Sequence, residues 1–171
     1  MNSVFTNLFK TDGYRKKVSK ILQLIKIEAC AVLFLTISTT FFAQKHNLED
    51  GFIAKGYDVV AYFNNSANEG KREFSTTYNS VKFKFISKKN LALFKSNPEK
   101  FMPQYGGFCA YALGKRGKLI DIDPESFEIR DGKLYLFYNS WFNDTFEKWK
   151  EGNPNKLRKK ADENWTKMRK K

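Results

Sequence analysis

The chain has 171 residues, 42% of them hydrophobic and 16% aromatic, which is enough apolar surface for one buried domain and excludes disorder over most of the length. Its formal net charge of +13 suits a solvated lysine-rich face or contact with an anionic surface. One histidine, His46, and two cysteines, Cys30 and Cys109, are too few for a four-ligand zinc site and nearly exclude a Cys–His catalytic pair.

The N-terminal segment has the order of a secretory signal. Basic residues between positions 10 and 28 precede an apolar run from Ala29 to Ala43. The run has 15 residues, fewer than the about 20 that a membrane-spanning helix needs. We therefore predict that residues 1–43 are a signal peptide cleaved after Ala43, or an N-terminal membrane anchor if Phe41 prevents cleavage. Either outcome places the remaining chain outside the cytoplasm, as a periplasmic, secreted or anchored protein, with membrane contact only through this segment.

The exported part is predicted to begin with a polar linker at residues 44–53. The apolar stretch at residues 54–63 follows, and its composition favours a first strand. Residues 64–70 are rich in Asn, Ser and Gly, which are typical of a turn.

Two β-hairpins are predicted from alternating apolar residues on either side of a two-residue turn. The first hairpin spans residues 73–86 with its turn at Asn79-Ser80, and the second spans residues 127–138 with its turn at Asp131-Gly132. The expected cross-strand pairs are Tyr78–Val81, Thr76–Phe83 and Phe74–Phe85 in the first hairpin, and Ile129–Leu134 and Phe127–Leu136 in the second.

Helices are predicted between and after the hairpins from capping residues and a 3.6-residue apolar period. The predicted helices run from a Ser87 cap to Asn97, from Pro98, from a Ser140 cap to Gly152, and from Pro154 onward. Their core-facing side chains are expected to be Leu91, Phe94, Phe142, Phe146, Trp149, Leu157, Ala161 and Trp165. A basic tail is predicted at residues 167–171. Hairpins combined with helices predict an α+β fold with a small antiparallel sheet and packed helices.

Several separated motifs occur in the order found in one known family. They are Gly56-Tyr57-Asp58-Val59-Val60-Ala61-Tyr62-Phe63, Glu73-Phe74-Ser75, Asn97-Pro98-Glu99-Lys100-Phe101, Gln104-Tyr105-Gly106-Gly107-Phe108-Cys109-Ala110-Tyr111-Ala112, Asp123-Pro124-Glu125, Asp131-Gly132-Lys133-Leu134-Tyr135-Leu136 and Ala161-Asp162 with Asn164-Trp165. With these motifs the chain resembles the YHS-domain family, specifically its exported single-domain members, over about residues 52–168. The resemblance implies a YHS-like domain at residues 54–166.

The resemblance also implies a scaffold that lacks the metal site of its relatives. Metal-binding members carry cysteine or histidine ligands at positions that correspond to Ala61, Ile86 and Asn90 in this chain. None of these three side chains is a soft metal ligand. No cofactor is therefore predicted, although a metal ion bound by other residues stays open.

A ligand pocket is predicted around the Gly-Gly-Phe-Cys stretch and the tyrosines of the motifs. Two adjacent glycines allow close approach of the backbone, and tyrosines offer an apolar body with a polar tip. The candidate ligand-binding residues are Tyr57, Asp58, Tyr62, Tyr105, Gly106, Gly107, Cys109 and Tyr111. The expected function is a non-enzymatic ligand-binding or accessory module, whose partner is an unidentified small ligand or an envelope protein. Export argues against nucleic acid as a partner.

Three other chemistries stay open for the exported part. Cys109 could serve a thiol-dependent enzyme or redox protein, with Lys115 or Arg116 lowering its pKa. Cys109 together with Met102 could hold copper(I). The alternating acids Asp121, Asp123 and Glu125 could gather oxygens for calcium, although a turn at Pro124 also explains them.

Overall fold

The computed structural model describes residues 16–23 and 45–170. The chain divides into two compact units, Met1–Phe41 and Phe42–Lys171. In the first unit, residues 16–23 are helical, and the predicted apolar run of the leader lies outside the described residues. No helix in the described ranges is long and apolar enough to cross a membrane.

In the second unit, residues 45–170 contain six strands, which form two sheets. The first sheet has the order β1-β2-β4-β3, in which β2 and β4 run parallel and the other neighbours are antiparallel, and the second sheet is the antiparallel pair β5-β6. The strands are β1 (Leu48–Glu49), β2 (Phe52–Ile53), β3 (Lys71–Tyr78), β4 (Val81–Phe85), β5 (Asp123–Arg130) and β6 (Lys133–Phe137).

Five α-helices and three 3₁₀ turns complete the described part of this unit. The helices are α1 (Lys88–Ser96), α2 (Pro98–Phe101), α3 (Ala110–Arg116), α4 (Thr145–Glu151) and α5 (Pro154–Arg169), and the 3₁₀ turns are Ala54–Gly56, Ala61–Asn64 and Gln104–Gly107. The prediction of an α+β fold is confirmed. The single parallel pair makes the first sheet mixed rather than purely antiparallel.

The turns of both hairpins fix the register next to them, as predicted. Tyr78 pairs with Val81 and Thr76 with Phe83, and in the second hairpin Ile129 pairs with Leu134 and Phe127 with Leu136. The central residues of both turns have positive φ, which suits the right-handed twist of the strands. The predicted pair Phe74–Phe85 is wrong, because a bulge between Lys71 and Ser75 brings Lys71 opposite Phe85.

Two predictions for the start of the unit need correction. The predicted linker contains strands β1 and β2, so residues 48–53 are part of the first sheet. The predicted strand at residues 54–63 is instead a pair of 3₁₀ turns, with positive φ at Ala54, Lys55 and Gly56. Its apolar residues are buried by the turns rather than by strand pairing.

Two predictions for the C-terminal helices also need correction. Helix α4 begins at Thr145, capped by Asp144, whose carboxylate accepts from the backbone N–H groups of Phe146 and Glu147. The predicted cap at Ser140 is therefore wrong, and Phe142 lies outside the helix with 98% of its surface exposed. The predicted basic tail is helical as far as Arg169.

Two apolar clusters form the core. The first lies between the four-stranded sheet, helix α1 and the 54–63 turns, and contains Phe83, Phe85 and Phe94. The second joins β6 to helices α3, α4 and α5 through Tyr135, Trp149 and Trp165. Helices α3 and α5 approach closely at Gly114, where a Cβ atom would lie 2.5 Å from the carbonyl oxygen of Leu157.

Candidate functional site

Gly106 and Gly107 are buried beneath the segment that contains Lys45 and Asn47. The backbone N–H of Asn47 donates to the carbonyl of Gly106 at 2.8 Å, and the Asn47 side chain donates to the carbonyl of Gly107 at 3.3 Å. Both glycines have positive φ, and a Cβ atom on Gly106 would lie 2.3 Å from the carbonyl oxygen of Lys45. The two glycines therefore make room for the protein's own backbone.

Tyr105, from the same stretch, belongs to the second apolar cluster. Its ring lies beside Tyr135 and Trp165, and its hydroxyl donates to the Asp162 carboxylate at 2.9 Å. Burial and the neighbouring Asp162 carboxylate raise the pKa of the Tyr105 hydroxyl. This tyrosine ties the Gly-Gly turn to helix α5.

The two tyrosines of the 54–63 segment have different environments. Tyr62 is fully buried, and its hydroxyl donates to the carbonyl of Pro124 at 2.7 Å. Burial raises the pKa of the Tyr62 hydroxyl. Tyr57 is half-buried, and its pKa is raised by burial and then by the carboxylates of Glu125 and Glu69.

The Asp58 carboxylate is completely buried and accepts four hydrogen bonds. One oxygen accepts from the backbone N–H groups of Val60 at 2.8 Å and Ala61 at 3.2 Å. The other oxygen accepts from the Ile86 N–H at 2.9 Å and from the Asn90 side chain at 2.7 Å. Asp58 therefore joins the 54–63 turns to the end of β4 and the first turn of α1.

The positions that the family resemblance relates to metal ligands meet at this carboxylate. Ala61 and Ile86 reach it through their backbone N–H groups, and Asn90 reaches it through its side-chain amide. These hydrogen bonds join three separate parts of the chain to one buried acidic residue.

The Cys109 thiol is fully buried and has two hydrogen-bonding neighbours. Its Sγ accepts from the backbone N–H of Tyr138 at 3.3 Å and lies 3.4 Å from Thr145 Oγ1. Because the Thr145 hydroxyl donates to the Tyr138 carbonyl at 2.6 Å, the thiol is the donor in its contact with Thr145. The thiol connects the end of β6 to the start of α4 and does not face solvent.

The remaining candidates for metal binding are dispersed. Met102 is half-buried against the first apolar cluster. Asp121 forms an ion pair with Lys55 at 2.8 Å, and Asp123 accepts from the Glu125 backbone N–H at 3.0 Å. Within residues 16–23 and 45–170, no group of three or more His, Cys, Asp or Glu side chains is arranged to hold a metal ion.

A cleft of about 350 Å³ lies where the end of helix α3 faces the β6–α4 connection. Three cationic side chains line it: Arg116 and Lys118 from the end of α3 and the residues after it, and Lys148 from α4. We call this site the basic cleft. Tyr111, Tyr138, Asn143 and Thr145 add polar groups to its walls.

The charges of the basic cleft are not neutralised by carboxylates of the described chain. Neither Arg116 nor Lys118 forms an ion pair with any described residue, and the Lys148 ammonium donates to the neutral Asn143 side chain at 2.6 Å. None of the described residues that line the cleft is acidic. Such a site attracts anionic oxygens, because Arg and Lys donate charge-assisted hydrogen bonds to them.

A second, more open cavity of about 480 Å³ has an aromatic lining from Tyr62, Phe63, Phe127 and Phe146. Its Glu128 carboxylate accepts from Arg130 at 2.6 and 3.0 Å and from the Trp149 indole at 2.9 Å. A second acidic residue, Glu125, also lines this cavity, and none of the described residues in its lining is a cation. The basic cleft is therefore the better candidate for binding an anion.

Of the eight residues predicted to bind a ligand, only Tyr111 lines the basic cleft. Cys109 lies directly behind it, through Thr145 and Tyr138. The other six form hydrogen bonds or packing contacts elsewhere in the fold. The sequence points to Arg116 only as a neighbour of Cys109, and it predicts neither Lys118 nor Lys148 as a binding residue. The three cations meet only in the folded chain, because Lys148 lies 30 residues after Lys118.

Comparison with known proteins gives no match for this chain among protein-family models, curated proteins or solved structures.

Proposed function

We propose that this chain is an exported, single-domain protein of the YHS type that acts as a non-enzymatic binding module. Its ligand is a small anionic group, a phosphate or a carboxylate, held in the basic cleft. The observation that carries this proposal is the convergence of Arg116, Lys118 and Lys148 on one cavity without a carboxylate in its lining.

The assignment to the YHS type draws support from Asp58. The chain positions related to the metal ligands of other members are brought together by one buried carboxylate. A family scaffold that has lost its metal needs such a replacement, since otherwise the buried N–H groups at this point would have no acceptor. The N-terminal order of basic and apolar residues supports export.

The lining of the basic cleft favours binding over catalysis. Among the described residues in this lining there is no carboxylate, histidine or thiol that would act as a general base or nucleophile. Cys109 lies behind the wall, and its thiol is engaged by Tyr138 and Thr145. The hydroxyl of Thr145 is occupied by the Tyr138 carbonyl.

The proposal is tested by titrating the isotopically labelled protein with inorganic phosphate and, separately, with succinate, and recording amide resonances by NMR. The resonances of Tyr111, Thr145 and Lys148 are expected to shift together and to saturate. Arg116→Gln and Lys118→Gln are each expected to weaken binding about two- to fivefold, equivalent to about 0.4–1 kcal/mol, as for partly exposed ion pairs.

Lys95→Gln is the matched control, because Lys95 is an exposed lysine of α1 and the variant has the same net charge as either cleft variant. It is expected to leave binding unchanged. Equal losses in the control and in the cleft variants, or shifts spread evenly over all lysine-rich surfaces, would show only a general charge effect and would contradict the proposal.

A further inference from the structure

The connection between β6 and α4 exposes two large aromatic side chains at its tip. Trp141 and Phe142 are each 98% exposed, whereas no other large apolar side chain among the described residues exceeds 54%. The two residues are adjacent in sequence and lie at the centre of a four-residue turn, Ser140–Asn143. We call this turn the aromatic tip.

The aromatic tip is held in place by hydrogen bonds rather than left loose. Ser140 and Asn143 exchange backbone hydrogen bonds at 3.0 and 3.3 Å. Below them, the carbonyl of Tyr138 accepts from both the backbone N–H and the hydroxyl of Thr145, at 3.1 and 2.6 Å. The fold therefore holds two large aromatic rings in solvent on a hydrogen-bonded turn. Exposed apolar groups that lie together in this way are typical of a surface that binds another molecule.

Unpaired positive charge lies directly beside the aromatic tip. Asn143, the last residue of the tip, also lines the basic cleft with Arg116, Lys118 and Lys148. The nearby acids are engaged: Asp144 caps helix α4, and Glu147 forms an ion pair with Lys150 at 2.6 Å. Exposed aromatic rings next to uncompensated cations are complementary to a lipid surface with anionic headgroups.

We propose that the aromatic tip docks this protein on an anionic bilayer. Trp141 and Phe142 enter the interfacial region, where an indole places its ring among apolar chains and its N–H near water. The basic cleft meanwhile binds a lipid headgroup phosphate. This contact is additional to the one predicted for the N-terminal segment. It extends the proposed function, because it assigns the anion of the cleft to a lipid.

Tryptophan fluorescence gives a direct test, because Trp141 differs from the other two tryptophans of the chain. Trp149 is fully buried and Trp165 is only 9% exposed. The protein is mixed with vesicles of phosphatidylcholine alone or of phosphatidylcholine with phosphatidylglycerol. With the anionic vesicles, we expect a blue shift, protection from acrylamide, and quenching by brominated acyl chains. The neutral vesicles are expected to bind at least about tenfold more weakly. The N-terminal segment has no tryptophan, so these signals report the tip even if that segment also binds lipid.

Variants separate the aromatic and the electrostatic contributions. In the form cleaved after Ala43, Trp141→Ala/Phe142→Ala is expected to lower partitioning onto anionic vesicles, measured by sedimentation, at least about tenfold while leaving the NMR response to inorganic phosphate unchanged. Leu93→Ala, at an exposed leucine of α1 that is 43% accessible, is the matched apolar control and is expected to bind vesicles normally. Lys148→Gln is expected to weaken vesicle binding about fivefold and to make the remaining binding less sensitive to salt, because one cationic contact with the headgroups is gone.

Three outcomes would overturn the docking proposal. Trp141 emission that stays unchanged on anionic vesicles would do so, and would leave a protein partner as the occupant of the tip. Emission that is already blue-shifted and protected from acrylamide without lipid would show that a second copy or another segment covers it. Vesicle partitioning of the double variant equal to that of the unmodified protein, with both in the form cleaved after Ala43, would place membrane contact elsewhere in the folded unit. If inorganic phosphate does not bind but Trp141 still inserts into anionic vesicles, the result would contradict the proposed anion site in the basic cleft and leave the docking proposal standing.

Discussion

Replacing Asp58 with asparagine removes the charge that organises the 54–63 turns without changing the size of the side chain. In Asp58→Asn, the remaining oxygen still accepts from Val60 and Ala61, but the new amide group faces two donors, the Ile86 N–H and the Asn90 side chain. The Asn90 amide can rotate to present its oxygen, whereas the Ile86 N–H is left without an acceptor.

The structure sets the size of the effect. A hydrogen bond to a charged group contributes about 1.5–3 kcal/mol, and a buried donor without an acceptor costs about 1–3 kcal/mol. We therefore expect Asp58→Asn to lower the free energy of unfolding by about 2–4 kcal/mol, and Asp58→Ala by more, because all four donors then lose their acceptor.

The assay is denaturant unfolding followed by tryptophan fluorescence, with Asp50→Asn as the control. Asp50 is exposed and has a positive φ that asparagine tolerates, so the control is expected to unfold like the unmodified protein. A loss below about 0.5 kcal/mol for Asp58→Asn would refute the view that this carboxylate organises the segment.

Three further predictions follow from packing, titration and the thiol. Gly114→Ala is expected to destabilise the protein by about 1–3 kcal/mol although alanine has the better helix propensity, because the new Cβ atom would lie 2.5 Å from the carbonyl oxygen of Leu157. Unfolding measurements that show equal or higher stability would contradict this packing. Burial lowers the pKa of His46 below its ordinary value of 6.5, so the unfolded chain binds the proton more readily than the folded chain. The free energy of unfolding is therefore expected to fall as pH decreases below about 6.5. An NMR titration that gives this single histidine a pKa at or above 6.5 would refute the reasoning. Cys109→Ser is expected to lower stability by about 1–2 kcal/mol and to leave phosphate binding intact, and a folded variant that no longer binds phosphate would point to a direct role for the thiol.

The hairpins could be predicted from sequence because local chemistry decides them. Two-residue turns at Asn79-Ser80 and Asp131-Gly132, flanked by alternating apolar residues, determine the pairing beside each turn. The bulges further along the strands have no such local signature, so the predicted partner of Phe74 was wrong.

The 54–63 segment could not be predicted in the same way. Its apolar residues resemble a strand, but the shape of the segment depends on Asp58, whose partners Ile86 and Asn90 lie 28 and 32 residues away. A pattern within the segment carries no information about those contacts.

The start of helix α4 could have been read from the sequence. Asp144 is followed three residues later by Glu147, which is the spacing of a capping box, and this signal is stronger than the isolated Ser140. Placing the cap correctly would have left Trp141 and Phe142 outside the helix and indicated the aromatic tip. The basic cleft has no comparable signal, because Arg116 and Lys148 meet only in the folded chain.

The most direct test of the binding account is the phosphate affinity of Arg116→Gln, Lys148→Gln and the double variant, measured by NMR titration. The two residues come from different helices, so they affect one anion together only if the basic cleft forms as described. Each single variant is expected to weaken phosphate binding about two- to fivefold, and the loss in the double variant is expected to differ from the sum of the two single losses. The proposal would be contradicted if Lys148→Gln left the phosphate affinity unchanged and Arg116→Gln changed it no more than the control Lys95→Gln does.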